Sequence, residues 1–278
     1  MAVREIYMQM CAVMAQNPNS DVKFEADLLV EHVLGKKRLD AMMDEISSQN
    51  AEKLMEYANM RKEGYPLQYI LGVWYFFDME LLVGEGVLIP RQDTETVCEA
   101  AFEVLKDVKS PTVIDLCSGS GCIALAIKKY FPQSAVTAVE KSDKAYNWLT
   151  KNIQHTSLQI DAVNTDLIGF EDTLKSESVD LVVSNPPYIN PNLRGKLQTE
   201  VQHEPEMALF ADNDGLYFYR YIATNYKKVL KNGGHIVFEY GFDQQTAVKN
   251  ILEEQGYTIK EEFMDLGGNP RGVVAQKP

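Results

Sequence analysis

A chain of 278 residues is long enough for about two domains. With 45% hydrophobic and 24% charged residues, 11 Pro and 17 Gly, its composition excludes a disordered polymer, a collagen and a disulfide scaffold. The formal charge of −13 divides into −5 up to Val83 and −8 after it, so neither part is a basic module and phosphate neutralisation cannot dominate binding. No apolar run approaches the roughly 18 residues that cross a bilayer, and Met1-Ala2-Val3-Arg4-Glu5 lacks the charged-then-apolar pattern of a signal peptide, so a cytoplasmic protein is expected.

The first sixty-odd residues read as helices. Val3, Ile6, Tyr7, Met10, Val13 and Met14 recur at helical spacing up to Asn17-Pro18-Asn19, and Ser20 or Asp21 can cap a second helix ending at Gly35. A third begins after Asn50 and stops at Gly64. From Val73 to Val83 aromatic and β-branched residues surround Asp78, which predicts a β-hairpin bridging two domains. Gly84, Gly86 and Pro90 break the pattern before a helix from about Thr94 to Val108. Beyond Pro111 strands and helices alternate: strands at Thr112–Leu116, Ala135–Glu140, Gln159–Asn164, Val179–Ser184, His235–Tyr240, Tyr257–Asp265 and Val273–Gln276, with helices between, including a long one from Asp214 to Leu230. Repeated βα units predict an α/β fold with a mostly parallel sheet covered on both faces.

In such sheets ligands sit at the carboxyl ends of the strands. Four strand ends are unusual. Asp115-Leu116-Cys117-Ser118-Gly119-Ser120-Gly121 is a small-residue loop that lets a ligand approach the main chain, although it lacks the GxGxxG spacing and a P-loop lysine; a tight structural turn is the alternative. Glu140, about twenty residues on, is placed to accept hydrogen bonds from ribose hydroxyls, or to cap a helix. In Thr165-Asp166-Leu167, Asp166 suits an adenine amino group and Leu167 the ring face, with a turn-capping Asp as the other reading. Ser184-Asn185-Pro186-Pro187-Tyr188 suits a planar NH₂ group: the Asn oxygen and a Pro carbonyl accept its two hydrogens and Tyr188 supplies an aromatic face. The four Cys and four His show no metal-ligand spacing, so no metal is expected, and Cys117 reads as a small turn residue with no adjacent base to make it a nucleophile.

Taken in this order, the Gly loop, the strand-end acid and Asn-Pro-Pro-Tyr resemble class I S-adenosylmethionine-dependent methyltransferases of planar nitrogens. Pro66-Leu67-Gln68-Tyr69-Ile70-Leu71-Gly72, Phe76 and Leu88-Ile89-Pro90-Arg91-Gln92-Asp93-Thr94-Glu95 narrow the resemblance to the peptide chain release factor glutamine methyltransferases of the PrmC/HemK type. His203-Glu204-Pro205, Ala208-Leu209, Asp214-Gly215-Leu216, Glu239-Tyr240-Gly241 with Gln244, and Asp265 with Arg271 also fit. Cys117 stands where the family usually has Gly or a similarly small residue, Ser118 where Thr is common, and Gln92-Asp93 where Pro-Glu is commoner.

The resemblance implies a Rossmann-like methyltransferase sheet at 91–278, joined through a hairpin at 72–90 to a helical docking domain at 1–71. It implies methylation of the glutamine amide nitrogen in the Gly-Gly-Gln motif of class-1 release factors, with S-adenosyl-L-methionine as cofactor. The implied cofactor residues are Cys117, Ser118, Gly119, Ser120, Gly121, Glu140, Asp166, Leu167 and Asn185; Asn185, Pro186 and Tyr188 act on the substrate amide, with Pro187, Arg91 and Glu204 beside the substrate. Arg91 either contacts a ligand or pairs at the surface with Asp93 or Glu95, and Glu204 either lines the substrate channel or braces a loop. The rival reading is an rRNA or DNA methyltransferase of exocyclic amines, since a flipped base presents the same planar NH₂. The acidic charge favours a protein partner over nucleic acid; no membrane partner and a monomer are expected.

Overall fold

The structure, a computed structural model, describes residues 2–278. The chain forms two compact units, one running up to Val73 together with Lys196–His203, the other comprising Trp74–Gly195 and Glu204–Pro278.

The first unit is helical: α1 (Val3–Met14), α2 (Val22–Leu34), the short α3 (Arg38–Ala41), α4 (Ser48–Lys62) and the short α5 (Leu67–Leu71). Asp21 caps α2 by accepting from the Phe24 N–H, and Gly35 ends it in the left-handed conformation. Val3, Ile6, Met10 and Met14 of α1 pack with Leu29, Val30, Leu54 and Ala58 in one apolar core. Beside that core lies a buried polar cluster. Arg61 makes a two-pronged pair with Glu25 (Nε to Oε2 2.9 Å, Nη2 to Oε1 2.8 Å) and donates to the Tyr65 carbonyl, while Asn17 donates to the Arg61 carbonyl at 2.8 Å. Glu200, from the Lys196–His203 segment, accepts from Asn17 at 2.9 Å and from Asn19 at 3.2 Å. A side chain on Gly64 would collide with Thr199 of the same segment.

The second unit opens with the predicted hairpin, β1 (Val73–Phe76) and β2 (Met79–Leu82), followed by α6 (Asp93–Leu105). Then come β3 (Thr112–Leu116), α7 (Cys122–Tyr130), β4 (Ala135–Glu140), α8 (Asp143–Thr156), β5 (Asp161–Asn164), β6 (Val179–Ser184), the short α9 (Glu206–Leu209), α10 (Tyr217–Asn225), β7 (Leu230–Glu239), α11 (Gln245–Glu254), β8 (Thr258–Met264) and β9 (Pro270–Gln276). The seven-stranded sheet runs β5-β4-β3-β6-β7-β9-β8; the first five strands are parallel and β9 is antiparallel to both neighbours. The central strands β3 and β6 are almost wholly buried, as a sheet covered on both faces requires, whereas the edge strand β8 exposes Lys260, Glu261 and Glu262. Strand order reverses between β3 and β6, where Leu116 pairs with Ser184 and the Ser184 hydroxyl donates to the Leu116 carbonyl at 2.6 Å. The switch point therefore lies between the Gly loop and Asn-Pro-Pro-Tyr.

The helix expected over Asp214–Leu230 is shorter. Asn213, Asp214 and Gly215 all have positive φ (53°, 58° and 82°), which a right-handed helix cannot contain, so α10 starts only at Tyr217. Past Asn225 the chain tightens into a 3₁₀ turn at Tyr226–Lys228, and Leu230 already belongs to β7.

Arg61→Ala would leave Glu25 buried without its counter-charge, and removing one partner of such a pair costs about 3–5 kcal/mol. Urea unfolding of the variant should show a loss of that order, concentrated in probes of the helical unit.

Candidate active site

A cavity of about 400 Å³ opens at the switch point, within the size range of small-molecule sites. Its floor is the loop after β3, where Cys117, Ser118, Gly119 and Ser120 line it. The loop is held internally: Ser118 donates from Oγ to the Asp115 carbonyl at 2.8 Å, and the Gly121 N–H to the Ser118 carbonyl at 2.8 Å. Gly121 lies just behind the wall at φ 83°, where a Cβ would strike Leu149, so only glycine closes this turn. Cys117 adopts φ 59° without being glycine, a strained position that Gly would occupy at less cost. Burial pushes the Cys117 thiol up and that of Cys122, also on the wall, up to about 12, which suits neither to attack as a thiolate.

Glu140, at the end of β4, accepts the Gly119 N–H at 2.8 Å and the Ser142 N–H at 2.7 Å. These bonds aim the carboxylate along the cavity wall and oppose the upward push that burial exerts on its pKa. Asp166 and Leu167 line the same wall, but Asp166 also caps its turn by accepting from the Ile168 N–H at 3.0 Å and pairs with Lys141 at 2.8 Å. The turn-capping reading is thus observed, in a residue that also lines the cavity. Asn152 of α8, fully buried, joins the Gly loop to the hairpin: it donates to the carbonyls of Ser120 and Leu82, each at 3.0 Å, and accepts from the Leu82 N–H at 2.6 Å.

Opposite the Gly loop stands Asn185. Its Nδ2 donates to Thr94 Oγ1 at 3.2 Å, and Thr94 in turn donates to Glu239 Oε2 at 2.7 Å. Thr94 and Glu239 are buried, and burial pushes the Glu239 carboxyl up to about 7, against the lowering effects of Thr94 and Arg271. The wall passes from Asn185 to Pro187 without Pro186 or Tyr188. Tyr188, expected on the substrate, instead packs behind the turn with the apolar cluster of Tyr219, Phe238 and Tyr240 and against Gly241. Its carbonyl accepts from Gln244 Nε2 at 2.9 Å, and Gly215 at φ 82° approaches that carbonyl so closely that a side chain there would overlap it.

Arg91 lies on the wall, and its partner is neither Asp93 nor Glu95 but Glu204, whose second oxygen accepts the Ile89 N–H at 2.9 Å. Glu204 is buried and lies off the wall, bracing the loop before α6. Glu95 accepts the Phe77 N–H at 2.6 Å, and Asp93 pairs with Arg271 at 3.2 Å, so both carboxylates were already committed elsewhere.

Residues 5–72 match the PrmC N-terminal domain, and residues 93–211 match the Methyltransferase small domain. A release factor glutamine methyltransferase of Thermodesulfovibrio yellowstonii is 36% identical over 91% of this chain and 92% of its own length. One from Clostridium botulinum is 33% identical over the full length of both. The chain belongs to the release factor glutamine methyltransferase family. Among solved structures, a methyltransferase from Pyrococcus furiosus superposes with TM-score 0.53 at 16% identity, covering 84% of this chain and 99% of that one. The hMettl16 catalytic domain does so with TM-score 0.58 at 17% identity, covering 83% and 82%. These likenesses show a class I methyltransferase fold, and the family membership makes the chain a methyltransferase. Among the described residues no helix is long and apolar enough to cross a membrane.

Asp115 closes the site from beneath. It is fully buried at the end of β3, Oδ2 accepts the Ala124 N–H at 3.2 Å, Oδ1 has no partner, and burial pushes its pKa up to about 7. The folded chain therefore keeps a proton that the unfolded chain releases between about pH 4 and about pH 7, so this group's contribution to stability falls as pH rises through that window. Asp115→Asn cannot titrate, and its melting temperature should fall less between pH 5 and pH 8 than that of the parent chain.

Proposed function

We propose that the chain methylates the side-chain amide nitrogen of the glutamine in the Gly-Gly-Gln motif of class-1 peptide chain release factors, with S-adenosyl-L-methionine as methyl donor. The observation that carries this reading is Asn185 on the cavity wall at the switch point, its Nδ2 engaged by Thr94 and its Oδ1 the amide atom outside that bond. Relatives over 91% and 100% of the chain are named release factor glutamine methyltransferase, which supports this reading.

The residues fit the cofactor. A small-residue loop closed by Gly121 lets a ligand lie against the main chain, Glu140 offers carboxylate oxygens to ribose hydroxyls, and Leu167 supplies an apolar face beside Asp166. When bound, S-adenosylmethionine supplies a sulfonium methyl as electrophile. Asn185 Oδ1 accepts a hydrogen of the substrate amide, whereas Pro186, expected to accept the other, lies off the cavity wall. An amide nitrogen is a weak nucleophile because its lone pair is delocalised, so fixed orientation and acceptors that favour positive charge on that nitrogen provide the acceleration. The two prolines hold the turn rigid, Tyr188 packs beneath it, and the amide proton leaves after transfer. Arg91, on the same wall, meets the substrate backbone while Glu204 holds its guanidinium in place.

Tritiated-methyl transfer to a purified release factor, to rRNA and to a release factor with its motif glutamine replaced tests the reading. Label in the unaltered release factor alone is expected; label in rRNA would favour the exocyclic-amine activity. Asn185→Ala should lower turnover by about 10²-fold while leaving cofactor affinity nearly intact. For Glu140→Ala the opposite split is expected, with cofactor affinity in calorimetry falling clearly; unchanged affinity would remove the ribose role.

A further inference from the structure

The chain Asn185–Thr94–Glu239 has a direction. A hydroxyl carries one hydrogen, and Thr94 gives its hydrogen to Glu239 at 2.7 Å. An ionised carboxylate only accepts, so the Thr94 oxygen can meet Asn185 only as an acceptor, and Asn185 must turn Nδ2 to it, as found at 3.2 Å. The two ends of an Asn amide differ little in shape, and without such a partner the group has no reason to present oxygen rather than NH₂ to a substrate NH₂. Thr94 stands in the first turn of α6 and Glu239 at the end of β7, both 2% exposed, so water does not scramble the relay.

We propose that Glu239, acting through the Thr94 hydroxyl, sets the polarity of the Asn185 amide so that Oδ1 faces the glutamine NH₂. Thr94 and Glu239 are positioning residues for methyl transfer. The inference rests on the reading of Asn185 as the group that holds the substrate amide. Protonation of Glu239 reverses the relay: the carboxylic acid donates to Thr94, Thr94 donates to Asn185 Oδ1, and the amide turns its NH₂ to a substrate that also offers NH₂. The charged and titratable groups around Glu239 are Asp93, Arg91 and Cys98 at or before α6, Arg271 on β9, Tyr188 in the turn, Tyr219 on α10 and Cys122 at the start of α7. Burial pushes those thiols and phenols up, away from neutrality, which leaves two carboxyls at about 7, Glu239 and the Asp115 of β3, and the Glu239→Gln profile separates their effects.

The test compares the parent enzyme with Asn185→Ala, Thr94→Val, Thr94→Ser and Glu239→Gln. Turnover on a release factor is measured from about pH 5.5 to about pH 8.5, with release-factor KM, cofactor affinity by calorimetry and melting temperature beside it. Thr94→Val should lose about 10- to 100-fold in turnover, with KM and cofactor affinity within roughly threefold, and Thr94→Ser should restore turnover. Parent turnover should rise with pH through neutrality, and Glu239→Gln should flatten that rise. A crystal structure of Thr94→Val should show the Asn185 amide turned or in two orientations. Adding Thr94→Val to Asn185→Ala should cost nothing further.

Near-parental turnover in Thr94→Val, an equal loss of cofactor affinity, failure of Ser to rescue, or an unchanged pH profile in Glu239→Gln would each overturn the proposal. If Thr94→Val does not fold, the Glu239→Gln profile and the Ser variant decide. Should Asn185→Ala keep parental turnover, the reading of the substrate site falls and the positioning role with it. If Asn185→Ala is inactive and Thr94→Val is not, only the positioning role falls.

Discussion

The parallel pairing of β3 with β6 governs the rest of the catalytic unit. Because Leu116 lies beside Ser184, the two loops that leave these strands emerge at one edge and diverge, and the cavity is the space they leave. Everything else maintains that gap. The Ser184 hydroxyl ties the strand ends together, Asn152 ties the Gly loop to the hairpin, and Gln244 with Gly215 grips the Tyr188 carbonyl. The first two of these bonds are buried, where an unmatched polar group is costly, so the loops have few alternative arrangements.

The consequence for chemistry is a division of labour between two walls. One wall is mostly backbone and small side chains with a carboxylate at its end, suited to a ligand recognised by shape and hydroxyls. The other is the amide of Asn185, backed by a relay that draws on α6 and β7. Neither wall supplies a strong base, in keeping with a reaction whose difficulty is the poor nucleophilicity of an amide and not the removal of its proton.

Strand ends and their small motifs were legible because they are local: period, apolar runs and turn residues mark Thr112–Leu116, Val179–Ser184 and the hairpin without reference to the remainder of the chain. Asp21 as a cap and Gly35 as a stop are legible for the same reason. The α10 region was not, because Tyr219, Ile222, Ala223 and Tyr226 keep a helical period straight through the 3₁₀ turn, and nothing in that period reveals three left-handed residues ahead of it. Thr94 and Glu239 escaped as site residues because 145 residues separate them and each reads locally as an ordinary helix start and strand end. The Arg91 partner escaped likewise: Glu204 lies 113 residues away, whereas Asp93 and Glu95 are near in sequence but bonded elsewhere. The signal available was chemical, in that Glu239 directly follows the apolar run Ile236-Val237-Phe238, and an acid there needs a buried partner.

The excursion of Lys196–His203 bears on how the molecule can be divided. Chain passes between the two units three times, after Val73, after Gly195 and after His203, so no single cut separates them. A fragment ending near residue 73 would lack Glu200 and Thr199, leaving the Asn17 amide and the hollow at Gly64 exposed to water. The complementary fragment would carry an eight-residue strap with nothing to fold onto, inserted between the Asn-Pro-Pro-Tyr turn and the Glu204 brace. Exchange of the helical unit between relatives is therefore a two-site graft, in which the strap has to travel with the helices it was matched to.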